Sequence, residues 1–163
     1  MKFHFVAHLA QPHQRGFLRL EFFISLLIIS LLLVIAFPIY QTYFLRAKMV
    51  EAISLTIGVK SDIAKYYSIY GHFPASNDQV KIKTSGTYIS DVTINNGTVL
   101  AKFGQENESL SGLLLSFRPA LAENNPPKVI KWVCGYAQPP AHFTIFGKNQ
   151  TNIPSEYLVS TCR

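Results

Sequence analysis

Glu21 stands at the head of a run, Phe22 to Tyr40, of nineteen residues without a charged side chain. A carboxylate at the edge of such a run is costly to bury, so its chemistry is charge pairing in an apolar setting rather than ordinary anchoring. Cys134 and Cys162 are the only two thiols, and they form either a disulfide or a pair of buried free cysteines. Other reactive side chains fall into no working pattern. His4, His8 and His13 gather near the N-terminus, while His72 and His142 stand alone. Glu106 and Glu108 flank Asn107 in a polar stretch that reads as a solvated loop. There is no Cys-x-x-Cys pair, nucleophile elbow or phosphate loop, so no catalytic residue, metal site or cofactor is expected and the chain is not read as an enzyme. Asn96, Asn107 and Asn149 open Asn-x-Ser/Thr triplets, which arise often by chance.

The elements that position these groups follow from periodicity. Nineteen residues at about 1.5 Å per residue span roughly 28 Å as a helix, enough to cross a bilayer's hydrocarbon core. Beyond the run, Tyr43, Ala47, Val50, Ile53, Ile57, Ala64 and Tyr67 recur at mostly helical spacing, which predicts an amphipathic continuation that buries this stripe against a domain. Pro38 removes one backbone bond and predicts a kink, with Gly58 a second soft point. Gly71 and Pro74 end the helix. Tyr66, Tyr67 and Tyr70 are expected to pack under a sheet rather than form a ligand-stacking platform, and Trp132 to join the core. Period-two segments then predict strands at Tyr88 to Ile94 and Thr98 to Phe103, joined through the hairpin signal Asn95-Asn96-Gly97. Further strands are expected at Leu113 to Phe117 and Val129 to Cys134, with a short one at Phe143 to Phe146. The class is α+β: a long N-terminal helix, its apolar half protruding, packed on an antiparallel sheet of about four strands, with a C-terminal cysteine-closed loop.

The chain has 163 residues and a net charge of +6, of which Lys2 and Arg15 contribute two. Lys81, Lys83, Lys128 and Lys131 are scattered like solvated strand faces, so nucleic-acid binding is possible but unsupported.

The segment Arg15-Gly16-Phe17-Leu18-Arg19-Leu20-Glu21 resembles the processing site of a type IV prepilin. Pro38, Tyr40, Tyr43, Arg46 and Ala47 fall where type IVa pilins carry a proline, two tyrosines and Arg-Ala. Lys131-Trp132-Val133-Cys134-Gly135 and Tyr157 to Arg163 resemble the cysteine-bounded C-terminal region of that family. The chain departs from it at Leu18-Arg19, where Thr-Leu is usual, and in a leader of sixteen residues, long for the type IVa class.

The resemblance implies a class III signal peptide, cleavage after Gly16 by a prepilin peptidase and N-methylation of Phe17. It also implies single-pass residence in the bacterial inner membrane, contact with the pilus assembly machinery there, and polymerisation into a homo-oligomeric surface fibre. Adhesion, twitching motility and DNA uptake are what it implies for the fibre. In the corresponding domain reading, residues 1–16 are leader, 17–40 the membrane and fibre-core helix, 41–70 its amphipathic continuation, and 71–163 a globular antiparallel β domain with the disulfide region. Export to an oxidising compartment and even parity favour the disulfide over free thiols. Cleavage would give Phe17 a positive amine that Glu21 of a neighbouring subunit can meet, fixing register in the stack.

A secretory signal peptide fits less well, because its apolar region is shorter and Val34-Ile35-Ala36-Phe37-Pro38 offers no small-residue cleavage site. A plain signal anchor has no use for Gly16-Phe17 or Glu21. A minor pilin or type II secretion pseudopilin would share the helix and processing, a DNA- or surface-binding module would place function in the globular domain, and a membrane-tethered enzyme lacks candidate groups.

Overall fold

The computed structural model describes residues 14–82, 85–105, 109–123 and 129–163. They form one long helix, α1 (Gln14–Tyr70), and five strands: β1 (Ile89–Asn95), β2 (Thr98–Phe103), β3 (Leu114–Ala122), β4 (Ile130–Cys134) and β5 (Phe143–Ile145). Single 3-10 turns lie at Asn77–Gln79, Ser155–Tyr157 and Ser160–Cys162. The α+β class is as the periodicities imply, with the short fifth strand joining the antiparallel sheet. The chain divides into two compact units, Met1–Gln41 and Thr42–Arg163. Among the described residues the first unit is helix alone, and the helix continues through Pro38 and Gly58. It closes where the Gly71 amide donates to Tyr67 O at 2.9 Å, three residues before Pro74.

In the second unit the strand order is β1-β2-β3-β4, and every pairing is antiparallel. Asn95 pairs Thr98 across a two-residue turn, and Asn96 and Gly97 both have positive φ, at 47° and 79°. That is the type I′ geometry whose twist matches the flanking strands.

β3 is the spine of the sheet. Along one edge it pairs β2 through Leu114 to Phe117 and then β5 through Ala120 to Ala122, while β4 runs along the other. A proline inside a central strand normally costs a ladder bond. Pro119 sits opposite the junction between β2 and β5, facing that same edge, since its carbonyl accepts from the Phe146 amide at 2.8 Å. The missing N–H therefore falls where no strand waits for it. Short of β4, residues of the C-terminal segment cover the edge. The Leu114 amide donates to Asn152 Oδ1 at 2.7 Å and the Ser116 amide to Thr151 Oγ1 at 3.0 Å. The outer edge of β1 is closed by Asn77, whose Oδ1 accepts from the Ile94 amide at 2.6 Å and whose Nδ2 donates to Val92 O at 3.0 Å.

The core lies between the helix and one sheet face. Leu45, Met49, Ala52, Val59 and Ile63 pack with Val92, Val99, Phe103, Leu115 and Phe117 and with Ile153 and Leu158 from the C-terminal segment. Burying each large aliphatic or aromatic side chain stabilises by about 1.5–3 kcal/mol. Thr56 shares the buried helix face and satisfies its hydroxyl on Ile53 O at 2.8 Å.

β4 ends at Cys134, and the chain turns at Gly135 with φ +55°. A Cβ there would lie 2.5 Å from Cys162 O, a backbone atom that also accepts from the Tyr136 amide at 3.0 Å. Gly135→Ala is therefore expected to lower stability by roughly 2–3 kcal/mol through strain and clash together. Chemical denaturation of the full chain in detergent measures this, and an unchanged midpoint would mean that the closed end yields easily.

Candidate functional site

Within the first unit, Arg19–Phe37 is long and apolar enough to cross a membrane, and none of it is buried. Leu, Ile, Val and Phe side chains from Leu20 to Phe37 are exposed around the whole circumference. A helix that is apolar all round is built for burial in lipid or among other helices. Glu21 is exposed within this surface, and among the described residues it forms no salt bridge. Arg19, two positions away, does not compensate it, because residues two apart point in different directions on a helix. Gly16, Phe17 and Pro38 also lie on α1. Of the expected leader only residues 14–16 are described; His4, His8 and His13 lie outside the described residues, as do Lys83, Glu106, Asn107, Glu108 and Lys128.

In the second unit, the helix face against the sheet is not the stripe expected from sequence. The buried positions are Leu45, Met49, Ala52, Thr56, Val59 and Ile63, spaced by fours and threes. Tyr43, Val50 and Ile57, expected to be buried, are instead 73%, 56% and 62% exposed. They recur every seven residues and so share one helical face, roughly on the far side from the sheet. Ala47 is exposed as well, while Ile53, Ala64 and Tyr67 are half-buried at the margins. Tyr66 and Tyr67 pack partly, but Tyr70, expected under the sheet, is 59% exposed beside Tyr66 and His72. Trp132 is half-buried against the core.

Cys134 and Cys162 form a disulfide spanning 28 positions. Two arginines reinforce the segment it closes. Arg46 Nη2 on α1 and Arg163 Nη2 both donate to Glu156 O, at 3.0 and 3.2 Å, and Arg163 Nε donates to Leu158 O at 3.1 Å. The closed segment is thus tied to the helix by charge-assisted bonds as well as by Ile153 and Leu158 in the core.

The family model for pilins, subunits of a bacterial filament, matches residues 45–163. The chain belongs to the pilin family. A type IV major pilin protein of Neisseria gonorrhoeae is 34% identical over 161 residues, covering 92% of this chain and 87% of its own. A fimbrial protein of Neisseria meningitidis is 32% identical over 92% of this chain and 94% of its own, and a fimbrial protein of Eikenella corrodens is 28% identical over 92% and 91%.

The pilin's remaining polar groups read as structural. Among the described residues no three metal-type ligands come together. Asn149 Oδ1 accepts from Ser116 Oγ at 2.6 Å and from the Thr151 amide at 3.1 Å, so its side chain is already engaged in folding. Glu51, half-buried on the helix, accepts the Tyr88 amide at 3.0 Å and holds the entry to β1.

Two lysines on the helix lie over aromatic rings, a role periodicity alone did not indicate. Lys48 is buried with its Nζ 4.5 Å from the centre of Phe44 and 4.7 Å from Tyr88. Lys60 Nζ sits 3.9 Å from Phe117 and 5.9 Å from Trp132. The rings favour its charge, but burial dominates and pulls its pKa from 10.5 down to about 8. The unfolded chain then holds more protons than the folded pilin between those values, so this lysine's contribution to stability rises with pH from about 8 to 10.5. The thermal midpoint of the wild type is expected to gain on that of Lys60→Met as pH is raised from 8 to 10. Parallel profiles would show that Lys60 keeps its ordinary pKa.

Proposed function

We propose that this pilin is the structural subunit of a type IV pilus, processed and assembled through its N-terminal helix. A prepilin peptidase cuts the precursor after Gly16 and methylates the amine of Phe17, while residues 17–40 hold the subunit in the bacterial inner membrane. The assembly machinery then moves the helix from lipid into a fibre core, where helices of other copies replace acyl chains as its apolar surroundings. Glu21 meets the Phe17 amine of a neighbour, so two charges expensive to bury singly compensate each other and set the axial register. The globular units form the outer surface, from which attachment, motility and DNA uptake by the fibre would follow.

One observation carries this reading: an uncovered apolar helix holds a carboxylate with no partner among the described residues of its own chain. An ordinary anchor would be cheaper without it. The exposed row Tyr43, Val50 and Ile57 adds further apolar surface for neighbouring helices. Intact-mass and N-terminal peptide analysis of filaments sheared from the cell surface tests the proposal. A chain beginning at methylated Phe17, two hydrogens light for the disulfide, is the expected result. Full-length protein confined to the membrane would instead restore the plain anchor.

A further inference from the structure

Among the described residues, two buried side-chain polar atoms have no hydrogen-bond partner, Thr98 Oγ1 and Arg118 Nε. They sit on neighbouring strands. β2 and β3 pair with Val99 opposite Phe117, and one step along that antiparallel register brings Thr98 opposite Arg118. Val99 and Phe117 face the core beneath the helix, so Thr98 and Arg118 share the other face of the sheet. Directly opposed residues hold their Cβ atoms about 4.5–5.5 Å apart. We propose that a single small anion, a halide, is held between the Thr98 hydroxyl and the Arg118 guanidinium, a role separate from assembly through the helix.

The chemistry of the pair selects an anion. A guanidinium Nε–H can only donate, and a threonine hydroxyl donates as readily as it accepts. Two donors without an acceptor call for a ligand made of lone pairs. Charge points the same way. Arg118 forms no salt bridge among the described residues, and burial disfavours its charge enough to pull its pKa down. A water molecule would satisfy the two donors but leave the partly desolvated cation without a counter-ion, which is the costlier state. The Arg118 head group is also fixed in place, because Nη2 donates to Gly135 O at 3.0 Å just beyond the end of β4.

The segment after β5 supplies the cover. The Phe146 amide donates to Pro119 O at 2.8 Å, and Ser116 Oγ bonds Asn149 Oδ1 at 2.6 Å and Thr151 Oγ1 at 2.7 Å. Ser116 and Pro119 bracket Arg118, so the chain between Phe146 and Asn149 crosses the sheet at its level. Gly147, with φ +83°, lies against Thr98, where a Cβ would collide with the Thr98 hydroxyl. Glycine lets the cover close down until Thr98 is 1% exposed. So close an approach suits a single atom beside the hydroxyl better than a branched oxyanion.

The other polar groups under this cover are already engaged. Ser116, Asn149 and Thr151 bond one another, and the Tyr136 hydroxyl donates to Thr151 O at 3.0 Å. Only Thr98 and Arg118 are left to be satisfied there. An anion bound by them exists only while the cover is seated on the sheet, so it favours the folded unit by mass action. It would fasten the disulfide-closed segment to β2 and β3 at a point that neither the covalent bond nor the side-chain bonds reach.

The test compares the full chain in detergent micelles in sodium chloride and in sodium gluconate of equal ionic strength, so that screening is the same in both. Chloride is expected to raise the thermal midpoint saturably, by about 5 °C, and bromide to replace it. The chloride NMR line should broaden with the protein present and sharpen again as bromide is added. Thr98→Val keeps the side-chain shape and removes the hydroxyl, and it should raise the half-saturating chloride concentration roughly 10-fold. Arg118→Gln should abolish both effects; if loss of its bond to Gly135 prevents folding, Thr98→Val decides alone. Lys131→Gln, exposed on β4, is the charge control that changes nothing. Equal midpoints in the two salts, or half-saturation unmoved in Thr98→Val, overturn the proposal. Line broadening lost in Lys131→Gln would also overturn it, in favour of diffuse attraction to a basic surface.

Discussion

Glu21→Gln is expected to leave the subunit made, inserted and cleaved, but to reduce surface filaments at least about 100-fold. Glutamine keeps the length, the helix propensity and the hydrogen-bonding end of glutamate, so the substitution isolates the charge. In the proposed fibre core the neighbour's Phe17 amine would then be buried without its counter-ion. Removing one member of a buried ion pair costs about 3–5 kcal/mol. At about 1.4 kcal/mol per decade that is roughly two to three and a half orders of magnitude at each subunit addition. The readout is the ratio of sheared filament protein to cleaved protein retained in the cell. A normal ratio would remove the charge pair from the assembly mechanism, and uncleaved precursor would move the role of Glu21 to processing. Arg19→Leu is the companion control, expected to change the ratio little, because Arg19 and Glu21 point in different directions on the helix.

How far the sequence disclosed this architecture depended on how local the deciding physics was. The β1–β2 hairpin was legible because Asn96-Gly97 has few alternatives to a left-handed pair, and β2 runs over the Thr98 to Phe103 expected after it. The apolar run and its carboxylate were equally plain, since membrane length and a misplaced charge are counted rather than inferred. The face of the helix that meets the sheet was not. Two rows both satisfy three- and four-residue spacing there. The row that is buried carries Thr56, and Lys48 is buried beside it, so it looked the less apolar of the two. Thr56 turns its hydroxyl onto the helix backbone, and Lys48 lays its ammonium over Phe44 and Tyr88; neither solution is visible without the fold. The length of β3 was underestimated for a related reason. Pro119 reads as a strand breaker until β2 and β5 are seen to meet opposite it.

Replacing both Cys134 and Cys162 by serine is expected to destabilise the globular unit by about 3–4 kcal/mol, from the entropy of a loop closed across 28 positions. Against the 5–15 kcal/mol that holds a typical domain together, this is a large share. The thermal midpoint should fall on the order of 10–20 °C for a unit of this size. Both cysteines are buried, so serine adds a desolvation cost on the native side, and the double alanine variant separates that cost from the lost loop constraint. The contacts that remain set the form of the loss. Arg46 and Arg163 still converge on Glu156 O, and Ile153 and Leu158 still sit in the core, so the segment has a native position to return to. The double variant should therefore fold, with an unchanged denaturant slope and a lower midpoint, rather than leave the C-terminal segment permanently detached. Reducing the wild-type chain should reproduce the part of the shift that comes from the lost loop constraint, while the double variant ignores the reductant. A loss under about 1 kcal/mol would show that these arginine and apolar contacts already fix the segment and that the covalent bond adds little to them.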